Sequence, residues 1–174
     1  MDDDMKKLAK ILGFIMLLNA CAVHTPPPDS PMETKKTVYP LGVIGQTEPI
    51  YFLPMNSPFI ARIDTGAEKA AIDVRGEKIF ERDGEKWVSF VLKNKETGES
   101  HRFEKKVEKH TTIKRIEDDE KRVVVKMDVK MGDQVFNSNF SLANRERFEY
   151  QALIGRSILT GRAIVDTALS NTLE

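Results

Sequence analysis

The 174-residue chain holds one cysteine, Cys21, one tryptophan, Trp87, and no surplus of either charge, with 27 basic against 27 acidic side chains. A single cysteine excludes an intrachain disulfide and any site built from several thiolates. The even charge balance removes the electrostatic reason to expect nucleic acid or an anionic surface, so no nucleic-acid partner is expected. Histidine is scarce: His24, His101 and His110 form neither an H-E-x-x-H motif nor another paired-ligand spacing, and no metal is expected. A glycine-rich phosphate-binding motif is also missing, so no cofactor is expected. The apolar stretch Leu8–Ala20 is too short to span a bilayer.

That short stretch has another use. Lys6 and Lys7 precede it and small residues close it, the layout of an export signal over residues 1–20. Its last tetrapeptide, Leu18-Asn19-Ala20-Cys21, resembles the bacterial lipobox, which implies a lipidated Cys21 as first mature residue. The acidic start Met1-Asp2-Asp3-Asp4 is unusual for such a signal, and Met5 opens a cleaner one. A lipid anchor implies an exported protein held to the envelope, with Ala22 after the cysteine favouring the outer membrane, facing the periplasm. Residues 21–37 carry Pro26, Pro27, Pro28 and Pro31 and few apolar groups, and read as an extended tether.

From Val38 the texture becomes that of a folded domain, residues 38–174. Val123, Val125, Met127, Val129 and Met131 alternate with Val124, Lys126, Asp128 and Lys130, a period of two with one face buried. Residues 87–92 (WVSFVL) and 59–63 (FIARI) are further strand candidates, with turns at Arg82-Asp83-Gly84, Glu96-Thr97-Gly98 and Gly132-Asp133. Short strands spaced by turns predict a mostly β domain with one short helix near Arg156–Thr160. The charged stretch between Phe103 and Arg122 reads as a solvated hairpin or loop.

Two segments carry the chemistry. In Ala61-Arg62-Ile63-Asp64-Thr65-Gly66-Ala67 an apolar strand delivers an aspartate into a tight turn. Gly66 permits the turn and exposes an N–H for the carboxylate, and the Thr65 hydroxyl can hold it. The second is Ala152-Leu153-Ile154-Gly155-Arg156, running into the predicted helix. In this order, with strands between, they resemble the retropepsin-type aspartic proteases, a resemblance covering residues 38–174. It is closest to the bacterial retropepsin-like proteins long labelled ATP-dependent zinc proteases, in residues 63–74 (IDTGAEKAAIDV), 80–90 (FERDGEKWVSF), 122–133 (RVVVKMDVKMGD) and 152–166 (ALIGRSILTGRAIVD).

The resemblance implies a single retropepsin-like β-barrel and a catalytic Asp64, Thr65 and Gly66. It implies an aspartic endopeptidase in which two Asp64 carboxylates of a homodimer share a proton and activate water toward a peptide or protein substrate. It further implies a buried ion pair between Glu68 and Arg156. Asp166, in Val165-Asp166-Thr167, imitates a second catalytic loop, but Ala168 stands where the glycine would be, and a turn carboxylate is expected there. The alternative is a non-catalytic peptide-binding or accessory envelope lipoprotein on the same fold.

Overall fold

A computed structural model describes residues 38–113 and 120–173; the expected export signal and tether, with Cys21 and His24, lie outside the described residues. Strands β1 (Val43–Ile44), β2 (Thr47–Phe52), β3 (Phe59–Ile63), β4 (Ala70–Asp73), β5 (Arg75–Arg82), β6 (Glu85–Lys93), β7 (Ser100–Ile113), β8 (Glu120–Met131) and β9 (Gln134–Ala143) follow in order. Then come β10 (Ala152–Ile154), the one-turn helix α1 (Arg156–Leu159) and β11 (Ile164–Val165).

Hydrogen bonding runs β2-β3-β10-β4-β9-β8, and β8 returns to β2 through Tyr51↔Lys130 and Phe52↔Val129. Those six strands close a barrel, which leaves them no free edges. From β8 the sheet continues outward through β7, β6 and β5, while β1 and β11 form a separate parallel pair. The mostly β, retropepsin-like barrel is therefore present as the sequence predicts, with one short helix among the described residues.

Alternation explains which residues fill the barrel. In β3, Phe59, Ala61 and Ile63 are buried while Arg62 is exposed. Phe52 meets Phe59 and Phe140 edge-on, with ring centroids 5.3 and 5.2 Å apart, in the geometry aromatic quadrupoles prefer. In β8 the predicted inward set is buried, but Val124 is buried too. It pairs with the buried Ser141 of β9, and a register shift opposite it in β7 disturbs the simple two-residue period.

The charged stretch after Phe103 departs from expectation: much of it forms β7 and the start of β8 rather than a loop. Opposite charges meet across the sheet there, Lys105 with Asp128 at 3.5 Å and Lys126 with Glu108 at 3.5 Å. Such cross-strand pairs let a highly charged sequence hold a strand. The β5–β6 hairpin turns on Asp83 and Gly84, both left-handed (φ 53° and 74°), as a two-residue hairpin connection requires.

One buried acid fastens the end of the chain. Glu48 on β2 is wholly buried, and its carboxylate accepts hydrogen bonds from Gly45 N–H (2.5 Å), Thr172 Oγ1 (2.7 Å) and Leu173 N–H (2.9 Å). Gly45 must be glycine, because a Cβ there would sit 2.5 Å from the Leu169 carbonyl. Glu48→Ala should therefore cost about 3 kcal/mol, the scale of losing charge-assisted bonds and stranding their donors. Urea denaturation should show the loss, and limited proteolysis should cut first within residues 169–173.

Candidate functional site

Asp64 stands one residue beyond β3. Its N–H donates to the Ile154 carbonyl (2.9 Å), which ties it to β10, the parallel neighbour of β3. Oδ1 accepts from Gly66 N–H (2.9 Å) and Ala67 N–H (3.1 Å), so two main-chain dipoles fix the carboxylate. A Cβ on Gly66 would come within 3.2 Å of that same oxygen, which explains the glycine. Oδ2 makes no hydrogen bond among the described residues and is open to a ligand. Thr65 contributes its carbonyl; its hydroxyl makes no hydrogen bond among the described residues, contrary to expectation.

Arg156 corrects a second expectation. Its Nη1 donates to the carbonyls of Thr65 (2.9 Å) and Gly66 (2.8 Å), and no ion pair joins it to Glu68 among the described residues. Both side chains are exposed rather than buried. The reason is local. Arg156 N–H donates to Ala67 O and Ser157 N–H to Glu68 O, each at 2.9 Å, which sets α1 end-on against the loop and the guanidinium over its carbonyls. Gly155 makes this approach possible, since a Cβ there would meet Lys69 O at 2.6 Å and Ala67 O at 2.8 Å. Asp166 is an exposed turn carboxylate, as expected, accepting from Ala168 N–H at 2.9 Å.

Beside this loop lies a cleft of about 360 Å³ lined by Glu68, Lys69, Arg122, Arg145 and Leu153, among others. Arg145 and Leu153 also line an adjoining hollow of about 430 Å³, which adds Arg62, Phe148, Glu149 and Tyr150. Arg122 is held by both oxygens of Glu120, each at 2.8 Å. Lys69 Nζ donates to Thr111 Oγ1 at 2.7 Å. Arg145 differs from both: it is 7% exposed yet forms no ion pair with a carboxylate among the described residues. Its Nε donates to Tyr150 O (3.1 Å), its guanidinium lies 4.5 Å from the Phe148 ring centre, and its N–H donates to Asp73 Oδ1 (2.6 Å).

Burial pushes the Arg145 guanidinium below its ordinary pKa, and the neighbouring Arg122 adds to this; Asp73 and Asp64 act in the opposite direction. The cleft thus holds an under-neutralised cation within electrostatic reach of Asp64. Sequence reasoning missed Lys69, Arg122 and Arg145, because a charged residue in a polar segment looks the same whether it faces solvent or a cleft. The clamp on the loop yields a test. Arg156→Ala should cost about 1 kcal/mol, as for an exposed hydrogen-bonding group, whereas Gly155→Ala should cost about 1–3 kcal/mol by overpacking. Amide exchange at Gly66 and Ala67 should accelerate in both variants, and unchanged exchange would contradict the clamp.

Comparison with known proteins places these features. The chain is 32% identical over 132 residues to a protein of Shewanella pealeana named "Probable alpha-L-glutamate ligase", covering 74% of this chain. A protein of Desulfotalea psychrophila with the same name is 31% identical over 137 residues. In each case the match spans only 29% of the relative's length. The crystal structure of Lpg0085 from Legionella pneumophila, of unknown function, superposes with a TM-score of 0.66 at 30% identity, covering 76% of this chain and 98% of that one.

The relatives' names overturn the expectation of an aspartic endopeptidase, and with it that of a hydrolase: they are ligases by name. The physical reason is that a carboxylate held by two N–H groups at a turn leaves the chemistry open, and the fold around it does not choose the reaction. A model of the RimB-like family, described as "Retropepsin-like aspartic endopeptidase RimB", matches residues 43–173. On that match and on the shared barrel, the chain belongs to the RimB-like family of retropepsin-like proteins.

Proposed function

We propose that this domain serves α-glutamate ligation by holding the acidic end of a glutamyl peptide in the cleft beside Asp64. The observation that carries the reading is Arg145: a nearly buried guanidinium without a carboxylate partner among the described residues, facing a cleft that Arg122 and Lys69 also line. A buried cation of this kind favours an incoming carboxylate, because ligand binding then supplies the missing counter-charge. The glutamate in the relatives' names supplies the chemical class. Since the chain spans 29% of their length, the bond-forming step is assigned to the remainder of such proteins or to a separate chain.

In this reading each residue has a physical task. Arg145 and Arg122 take the glutamate side-chain carboxylate. Phe148 and Tyr150 give the peptide an apolar wall. Asp64, with Oδ1 committed to the turn, offers Oδ2 to a peptide N–H or a terminal ammonium. Two further features belong to the same proposal: attachment through a lipidated Cys21 to the periplasmic face of the outer membrane, and self-association. The exposed pair Val43 and Ile164 on β1 and β11 offers apolar surface for a second copy.

Calorimetric titration with tetra-glutamate tests the central part. Arg145→Gln should weaken binding about ten- to hundredfold, the range for a buried hydrogen bond to a charged group. Tetra-glutamine should bind the wild type no better than that variant binds tetra-glutamate. Equal affinity for the two peptides would refute the reading. For the anchor, Cys21→Ser should move the protein from the membrane fraction to the soluble fraction, and an unmodified, freely soluble wild type would end that part.

A further inference from the structure

A second hollow of about 240 Å³ is lined by Asp73, Arg75, Lys93, Lys95 and Gln151. We propose that it is a second carboxylate subsite, taking another acidic side chain of the same peptide; this rests on the glutamyl-peptide reading of the first site.

Charge is the first argument. Three cations surround one carboxylate, and that carboxylate is already engaged: Asp73 Oδ1 accepts from Arg75 (2.7 Å) and from Arg145 N–H (2.6 Å). Lys95 Nζ is 3.9 Å from Asp73 Oδ2, and the Lys93 ammonium forms no ion pair or hydrogen bond among the described residues. Glu146, 3.6 Å from Arg75 and largely exposed, offsets one charge at the rim and leaves the hollow net positive.

The second argument is rigidity. Lysines on a loose loop make no site, but these two are carried on clamped backbone. Gln151 Nε2 donates to Lys93 O and its Oε1 accepts from Lys95 N–H, each at 2.8 Å. Asn94 between them donates to Pro58 O (2.7 Å) and accepts from Glu96 N–H (2.9 Å) and Thr97 N–H (3.1 Å). The cationic turn is thus organised before any ligand arrives, and little entropy is lost on binding.

Continuity is the third. Asp73, in this hollow, holds the main-chain N–H of the same Arg145 whose guanidinium lines the first cleft. One residue, Arg145, therefore touches both hollows, through its main chain on one side and as a lining residue on the other. Alternate side chains of an extended peptide point the same way at about 7 Å spacing, so one chain of glutamates can present a carboxylate to each. The expected signature is dependence on chain length: a peptide of two glutamates fills one site, and a longer one fills both.

Calorimetry on the full-length chain with di-glutamate and hexa-glutamate decides it. The wild type should bind hexa-glutamate about tenfold more tightly than di-glutamate, the scale of two exposed ionic contacts. Lys93→Ser combined with Lys95→Ser should abolish that preference while leaving di-glutamate affinity within about twofold. Lys93→Glu, at a side chain with no protein partner to lose, should do the same, with an unchanged urea midpoint as the folding control. If both variants keep the wild-type length preference, the second subsite is wrong while the first stands. If the wild type binds neither peptide, the underlying reading falls and this inference falls with it.

Discussion

Everything at the site depends on the contact between the Gly155–Arg156 corner and the loop after β3. Main-chain bonds from Arg156 and Ser157 reach the carbonyls of Ala67 and Glu68, and the Arg156 guanidinium caps those of Thr65 and Gly66. With its carbonyls turned toward α1, the loop has its N–H groups free to face inward, where Gly66 and Ala67 hold Asp64 Oδ1. One glycine without a Cβ permits the approach, and one arginine supplies donors to carbonyls that would otherwise face solvent. The parallel pairing of β3 with β10 brings these distant segments together.

Beside this turn the cleft and its adjoining hollow are lined by Lys69, Arg122 and Arg145, with Glu68 and Glu149 among the other lining residues. Lys69 and Arg122 are neutralised or hydrogen-bonded by protein groups, whereas Arg145 is packed on Phe148 and bound to a carbonyl without a counter-ion among the described residues. Burying a charge in this way is unfavourable unless a partner arrives. On the proposed reading, a ligand carboxylate supplies that partner.

Much of the fold was legible in the sequence. The two-residue alternation of β8, the strand that delivers Asp64, and the apolar run into Gly155-Arg156 each have a local physical cause, and each fell where expected. The strands within the charged stretch were not legible, because what holds them is backbone pairing with β6 and β8, which leaves no mark in a charged sequence. The partner of Arg156 was misread for a similar reason: charge suggests carboxylates, while main-chain carbonyls leave no mark in a sequence. Asp64 could be found from its motif, but Arg145 could not. Its burial, and the lack of a carboxylate partner among the described residues, are properties of the folded chain. The reaction was misassigned because the turn motif specifies a held carboxylate and leaves the chemistry open.

The most direct test of the account follows backbone amide shifts by NMR as oligo-glutamate is titrated into the protein. The account predicts saturable shifts centred on Gly66, Ala67 and Arg145, that disappear at high salt and do not occur with oligo-glutamine. Shifts elsewhere on the domain, or equal shifts with both peptides, would contradict it.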